Sequence, residues 1–316
     1  MSGVSFIVTV YNKSTFLPRV VDALARQAGT FAREFIFVDD GSSDGSAELV
    51  ARLTEAWRDP VLILRQRNRG ASAATNAGAL RATLRWLKLV DGDDLLLPGA
   101  TRRLLEAAEA TGTTLAWGDL GKYRVEDPDP LAASFPPPPF AAESDGLMRF
   151  IRNCAANSSS ILVGAERYRA AGGCDERLVS PDQALFLRLF AVGGGAHVEG
   201  PVALIPDQAP GRLSQQERRS RYESVLALYY LVTETQGLGA AHARYAYRRA
   251  LSRAWRFQRA HGGRFLFTRH FLRLVKSRLS EAVDAQALYQ ALGAFTEDGS
   301  TERPAQWLPG ALRHSA

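Results

Sequence analysis

Cysteine is scarce in this sequence, with two in 316 residues, Cys154 and Cys174. They fit no zinc-ligand spacing and no disulfide framework, so neither device organises the chain. In a chain this long they point to reduced thiols and a cytoplasmic protein. Long apolar runs are missing too, and none approaches the roughly 18–20 residues needed to span a bilayer. Met1-Ser2-Gly3 leads straight into Val4-Ser5-Phe6-Ile7-Val8, with no charged n-region or small-residue cleavage site, so no signal peptide is predicted. The familiar nucleotide loops are also absent. The first apolar run is followed by Tyr11-Asn12-Lys13-Ser14 without Gly-x-Gly, and no Gly-x4-Gly-Lys-Ser/Thr occurs, which argues against dinucleotide and P-loop folds. The five histidines are scattered, and Ser158-Ser159-Ser160 has no visible base partner, which argues against a serine nucleophile. No tandem repeat is visible.

What is present is ordinary globular composition, 46% hydrophobic and 23% charged, enough for one large or two modest domains. The net charge of +6 is unevenly placed. Residues 212–279 hold 15 Lys+Arg against 3 Asp+Glu, so the remainder is acidic on balance. An acidic front and a basic back imply different partners for the two parts.

Residues 4–10, 34–38, 61–64 and 87–90 are short apolar runs that read as strands buried on both faces. Helical patterns lie between them at 16–27, with Ser14 or Thr15 as cap, at 47–57, with Asp44 or Ser46 as cap, and at Ala-rich 71–84. This alternation predicts an α/β fold with a parallel sheet and right-handed crossovers. Ligands of such sheets bind beyond the carboxyl ends of the strands. Those ends are Thr9–Asn12, Asp39–Ser42, 65–69 and 91–94, where polar residues collect. Residues 126–140 carry Pro128, Pro130 and the run 136–139, which predicts an exposed loop. Further elements are predicted at 147–154, 159–163, 165–171 and 182–192, the last with Leu185, Leu189 and Val192 on one face. After Pro210 the pattern is helical, at 220–233, 241–260 and 265–277. In the last helix Arg269, Arg273 and Lys276 form a basic stripe, and Phe267, Phe271, Leu274 and Val275 an apolar one. That basic face suits anionic lipid headgroups or plain solvent.

The stretch with most chemistry is 87–98, an apolar run that ends in Asp91, Asp93 and Asp94. Three carboxylates this close repel unless water or a cation relieves them. Hard oxygen donors with no Cys/His cluster favour Mg²⁺ or Mn²⁺. A second acidic run, Asp39-Asp40-Gly41-Ser42-Ser43-Asp44-Gly45, is no EF-hand loop, because position 12 from Asp40 is Ala51 rather than Glu. It suits a strand-end carboxylate facing a nucleotide base, or more weakly a phosphatase-type Asp nucleophile.

The chain resembles the family 2 glycosyltransferases of GT-A fold, over residues 4–214. The resemblance rests on five pieces in order. They are residues 4–12; Phe37-Val38-Asp39-Asp40-Gly41-Ser42-Ser43-Asp44; Asn68-x-Gly70-x3-Ala74-x-Asn76-x-Gly78; Asp91-Gly92-Asp93-Asp94; and Gly173-Cys174-Asp175-Glu176 leading to Asp182 and Leu187-Arg188-Leu189. It implies a GT-A, mostly parallel sheet domain at 1–210 and a basic helical region at 211–316. It also implies roles. Thr9, Tyr11 and Asp40 would hold the nucleotide; Asn68, Gly70 and Asn76 would border its diphosphate. Asp91 and Asp93 would bind Mn²⁺ or Mg²⁺, with Asp91 also near the ribose. Asp182 would be the general base, and Arg212 would close over the diphosphate. Pro181 and Thr75 stand where the family often has Glu and Arg, and Arg67 or Arg69 would replace the missing charge. The implied activity is inverting transfer of one sugar from a UDP- or dTDP-sugar to a carbohydrate or lipid-linked acceptor, in a cytoplasmic or membrane-peripheral protein. The processive synthases' membrane helices and Gln-x-x-Arg-Trp motif are absent. Two rivals remain open: a metal-dependent phosphotransferase using Asp91 or Asp39, and a non-catalytic basic binding module. No nucleic-acid motif is present.

Overall fold

The computed structural model describes residues 3–27, 29–131, 138–207, 216–261 and 266–308. In chain order its strands are β1 (Gly3–Val10), β2 (Ala32–Asp39), β3 (Val61–Arg65), β4 (Trp86–Asp91), β5 (Leu95–Leu96), β6 (Leu115–Tyr123), β7 (Phe140–Glu143), β8 (Ile161–Gly164) and β9 (Gly195–Pro206). The α-helices are α1 (Leu17–Ala25), α2 (Ser46–Thr54), α3 (Ala71–Arg81), α4 (Ala100–Ala110), α5 (Gly146–Arg152), α6 (Ala165–Ala170), α7 (Asp182–Ala191), α8 (Glu217–Glu234), α9 (Ala240–His261), α10 (Arg269–Leu279) and α11 (Ala285–Gln290).

The chain divides into two compact units. The first comprises Met1–Ser144, Ala155–Glu176 and Val192–Pro210; the second comprises Asp145–Cys154, Arg177–Ala191 and Gly211–Ala316. Candidate base Asp182 therefore belongs to the helical unit, together with α5 and the C-terminal helices.

The first unit holds one mixed sheet in the order β3-β2-β1-β4-β8-β6-β9-β5, with β7 beside β9. β3, β2, β1 and β4 run parallel, as the strand–helix alternation predicts. β8 is antiparallel to both β4 and β6, so the far half of the sheet is mixed. The register brings three strand ends together: Thr9 pairs with Val38 and Asp91, and Val10 with Asp39. Phe6, Val8, Phe35, Phe37, Trp86 and Val90 fill the core on one face. Ile36, Val38 and Ala74 fill the other. The small residues of α3 permit its close approach. A Cβ at Gly78 would meet Ile7 Cγ2 at 2.4 Å.

Several local expectations are corrected. α1 is capped by Phe16 with Pro18 in its first turn, not by the side chain of Ser14 or Thr15. Gly45 occupies the cap position of α2 at φ 76°, while Asp44 accepts from Ser46 N at 3.1 Å through Oδ1 and from Ser14 N at 2.9 Å through Oδ2, so it ties the start of α2 to the loop after β1. Val192 lies beyond the end of α7 and is 50% exposed, so it does not extend that helix's apolar face. Strands β6 and β9 were not expected. β6 carries Gly118 and Gly121 because β9 side chains occupy that space; a Cβ at Gly118 would meet Val202 Cγ1 at 2.4 Å.

In the helical unit, Phe150 of α5 stacks on Phe186 and Phe190 of α7, with centroids 4.4 and 5.1 Å apart. Gly146 opens α5 where no side chain fits, since its Cβ would meet Phe190 Cε1 at 2.1 Å. The last predicted helix starts later than the pattern implied: Thr268 caps α10 by accepting from Phe271 N at 3.2 Å.

Candidate functional site

The turn after β4 is tied from above and below. Asp91 N donates to Ser159 Oγ at 2.9 Å, and Asp94 N closes the turn on Asp91 O at 3.0 Å. Asp94 is fully buried and accepts from Asn157 Nδ2 at 2.6 Å. Asp93 O accepts from Tyr123 Oη at 2.8 Å. Gly92 is a steric requirement, because a Cβ there would sit 2.6 Å from Thr9 O. The two outer carboxylates are thus presented from a turn pressed against the end of β1.

Two lysines that the motifs do not single out supply positive charge. Lys13 Nζ, in the loop after β1, meets Asp93 Oδ2 at 2.5 Å. Lys88, wholly buried in β4, donates to Ser159 O at 2.5 Å and Leu89 O at 3.0 Å. Burial pushes the Lys88 ammonium down to about 7, opposed by the charges of Asp94 and Asp91. A lysine inside an otherwise apolar strand, three positions before an acidic turn, was the available signal for it.

Asp40 is buried and clamps the loop after β3. Its Oδ1 accepts from Gln66 Nε2 and Arg69 N, and its Oδ2 from Gly70 N, each at 2.8 Å. Desolvation raises its carboxyl above the ordinary range, outweighing these bonds. Gly70 (φ 92°) begins α3, and Asn68 N lies 2.9 Å from where a Cβ on Gly41 would stand. Asp39 accepts from Ser42 N at 3.0 Å. Asn12 (φ 50°) accepts from Ser43 N at 2.8 Å, and Ser14 N donates to Asp44 Oδ2 at 2.9 Å. Burial would raise the Asp44 carboxyl, yet the bonds from Ser46 and Ser14 hold it at about 2. The loops after β1 and β2 are therefore one braced assembly, from which Tyr11 projects 48% exposed.

The Asn76 side chain is taken up by protein partners. Its Nδ2 donates to Cys174 O and Glu176 Oε1, both at 3.0 Å, and its Oδ1 accepts from Tyr168 Oη at 2.7 Å and Cys174 N at 2.9 Å. These bonds fill an amide's capacity, so Asn76 holds the Gly173–Glu176 loop on α3. Arg69 joins the same loop through Glu176 Oε2 at 2.7 Å. Thr9, Asp40, Gly70, Asp91 and Asp93 thus gather at the carboxyl ends of the parallel strands, while Asn76 braces the Gly173–Glu176 loop. Arg212 lies outside the described residues. A cavity of about 960 Å³ in the helical unit, lined by Arg218, Arg219, Phe295 and Trp307 among others, shares no residue with these strand ends.

Among the described residues no three His, Cys, Asp or Glu side chains are grouped to enclose a metal. Asp91 and Asp93 offer two hard carboxylates on one turn, which suits a Mg²⁺ or Mn²⁺ completed by phosphate oxygens and water rather than an all-protein cage. Lys13 already sets a cation on Asp93, so the donor set fits that charge.

The chain is similar to several characterised proteins. It is 37% identical over 119 residues to the succinoglycan biosynthesis protein ExoO of Rhizobium meliloti, covering 37% of this chain and 33% of that protein. It is 39% identical over 112 residues to an undecaprenyl-phosphate 4-deoxy-4-formamido-L-arabinose transferase of Yersinia pestis, covering 34% of this chain and 33% of that one. The matches thus span about a third of these relatives' length. In structure it resembles S. aureus TarS in complex with UDP-GlcNAc, with TM-score 0.66 at 15% identity over 98% of this chain and 85% of that one. The mannosyltransferase PcManGT of Pyrobaculum calidifontis, in complex with GDP-Man and Mn²⁺, gives TM-score 0.52 at 16% identity over 94% and 84%. These likenesses establish the GT-A architecture. The model of glycosyl transferase family 2 matches residues 5–163, half of the chain and the half that carries Thr9, Asp40 and the Asp91-Gly92-Asp93 turn: the chain belongs to that family.

Proposed function

We propose that the protein is an inverting, metal-dependent glycosyltransferase that moves one sugar from a UDP- or dTDP-sugar to an acceptor hydroxyl, in cell-surface polysaccharide or glycolipid synthesis. The observation that carries this reading is the braced turn where Asp91 and Asp93 stand beside Thr9 with Lys13 on Asp93. Support for the acceptor class comes from the two relatives, one named for succinoglycan biosynthesis and one for transfer involving undecaprenyl phosphate.

In this reading Thr9 and Tyr11 contact the nucleoside. Asp40 shapes the same pocket by fixing residues 66–70. Asp91 and Asp93 hold Mn²⁺ or Mg²⁺, whose chemistry when bound is to neutralise charge on the departing nucleoside diphosphate. Lys13 then exchanges Asp93 for a phosphate oxygen and adds a second positive charge. Arg212 is assigned to the same diphosphate by resemblance. Asp182, the first residue of α7, is assigned the acceptor proton: a carboxylate takes the hydroxyl hydrogen as the oxygen attacks the anomeric carbon. A single displacement inverts that carbon. The protein acts at the cytoplasmic side, where nucleotide sugars are its donors.

The test is nucleotide release from a panel of UDP-, dTDP- and GDP-sugars with undecaprenyl-phosphate-linked saccharides as acceptors. UDP or dTDP release that depends on acceptor and is lost in Asp182→Asn is expected. Trapping of an aspartyl-phosphate analogue on Asp91 or Asp39 instead would contradict the reading.

A further inference from the structure

Helix α10 leaves three of its large apolar side chains exposed. Its sequence is amphipathic, yet the residues it buries are His270 and Ser277, at 5% and 2% exposure. Positions 270 and 277 are two turns apart on one face. The opposite face carries Leu272, Val275 and Leu279, which are 54%, 39% and 84% exposed. In soluble proteins large apolar side chains of an amphipathic helix turn to the core. Phe271 and Leu274 are half-buried beside the inward face, and Leu272, Val275 and Leu279 are left out.

The segment leading into α10 adds to the same surface. Leu266 is 49% exposed and Phe267 is 82% exposed. Phe267 has φ 59°, a conformation that side-chain-bearing residues seldom adopt. Thr268 follows it as cap, so the helix begins just after a phenyl ring directed outward.

Charge flanks this apolar stripe on both sides. At 100° per residue, Arg269 and Lys276 lie along one edge and Arg278 along the other. All three are exposed. From Thr235 to Ser280 the sequence has no Asp or Glu and 11 Arg or Lys. A second copy of this face would set arginine against arginine, which disfavours self-association. A surface with an apolar layer beneath an anionic one satisfies both parts of the pattern. The lipid boundary takes Phe267, Leu272 and Leu279, and the headgroups take Arg269, Lys276 and Arg278.

We infer that α10 with Leu266 and Phe267 is an interfacial anchor that lays the protein on an anionic phospholipid surface. Among the described residues no helix is long and apolar enough to cross a membrane, so this contact lies in the interface plane. The anchor goes beyond the sugar-transfer reading and stands or falls separately from it.

Vesicle co-sedimentation of the full chain tests it, with phosphatidylcholine alone and with phosphatidylcholine–phosphatidylglycerol mixtures. Binding to the mixed vesicles that weakens with salt is expected. Leu272→Glu/Leu279→Glu should reduce partitioning at least about ten-fold. Arg269→Gln, Lys276→Gln and Arg278→Gln should each reduce it about five-fold on anionic vesicles only. These side chains are exposed, so the variants should keep the wild-type melting temperature and nucleotide binding, which separates this test from the donor site. Equal partitioning of wild type and the double-Glu variant would overturn the proposal. So would a failure to bind anionic vesicles at low salt. A wild-type dimer in light scattering that the double-Glu variant dissociates would overturn it in favour of a self-interface.

Discussion

Lys13 Nζ stands 2.5 Å from Asp93 Oδ2, so the carboxylate assigned to the metal is already met by a cation of the chain itself. Asp93 is buried, and its neighbours Asp91 and Asp94 share its sign. If Asp93 holds a divalent ion as proposed, Lys13 competes with that ion for one oxygen when no nucleotide is bound. Removing the ammonium by Lys13→Met is expected to tighten Mn²⁺ binding to the free protein about ten-fold. The same change should weaken UDP binding in the presence of Mn²⁺, since Lys13 is then missing from the phosphates. Titration of the Mn²⁺ paramagnetic resonance signal checks both; unchanged Mn²⁺ affinity would count against the competition.

Gly92→Ala tests how tightly the acidic turn is pressed on β1. The added methyl would lie 2.6 Å from Thr9 O, a backbone atom of the central strand that cannot swing aside. A cost of about 1–3 kcal/mol is expected from overpacking, with loss of nucleotide binding as the carboxylates are displaced. Chemical denaturation measures the first and calorimetry the second. A stable variant with intact UDP affinity would show that the turn has room to shift.

Lys88 gives the protein a pH signature. Its folded-state value of about 7 lies below that of an exposed lysine, so above pH 7 the unfolded chain binds more protons than the folded one. Stability should therefore rise with pH from about 7 towards the ordinary lysine value of roughly 10.4, by up to about 1.4 kcal/mol per pH unit. Lys88→Met removes that slope. Denaturation of both proteins from pH 7 to about 9 is expected to give curves that diverge with pH; parallel curves would mean that Lys88 keeps its proton in the fold.

Asn76→Ala separates bracing from binding. Three hydrogen bonds from this one amide fix the loop at 173–176, and a fourth comes from Tyr168 Oη. Their loss should cost about 2–4 kcal/mol. The folded fraction should retain UDP affinity within about two-fold if Asn76 only supports the pocket. A selective loss of UDP binding without destabilisation would place the amide against the diphosphate instead.

The parallel half of the fold was legible because β1, β2 and β4 are apolar on both faces and end in polar residues. The mixed half was not. β6 carries Gly118, Asp119, Gly121 and Lys122, which give no strand pattern by themselves; β9 supplies Val202 and Leu204 to fill the space above the glycines. The acidic turn and Asp40 were legible as spacing, because clustered carboxylates at the ends of buried strands repel one another and call for a partner. What they touch was not, since Lys13 lies 80 residues from Asp93 and Asn76 lies 98 from Cys174. α10 was legible as amphipathic, but periodicity cannot tell which face turns inward; the burial of His270 and Ser277 decides that.

Isothermal titration of UDP into the protein, with and without Mn²⁺, on wild type and on Asp93→Ala, bears most directly on the donor site. Binding by the wild type that strengthens at least about ten-fold with Mn²⁺, and a variant in which that gain is gone, is the expected result. UDP affinity that ignores Mn²⁺ in the wild type, or a gain that survives in Asp93→Ala, would contradict the assignment of the β4 turn to a metal-held nucleoside diphosphate.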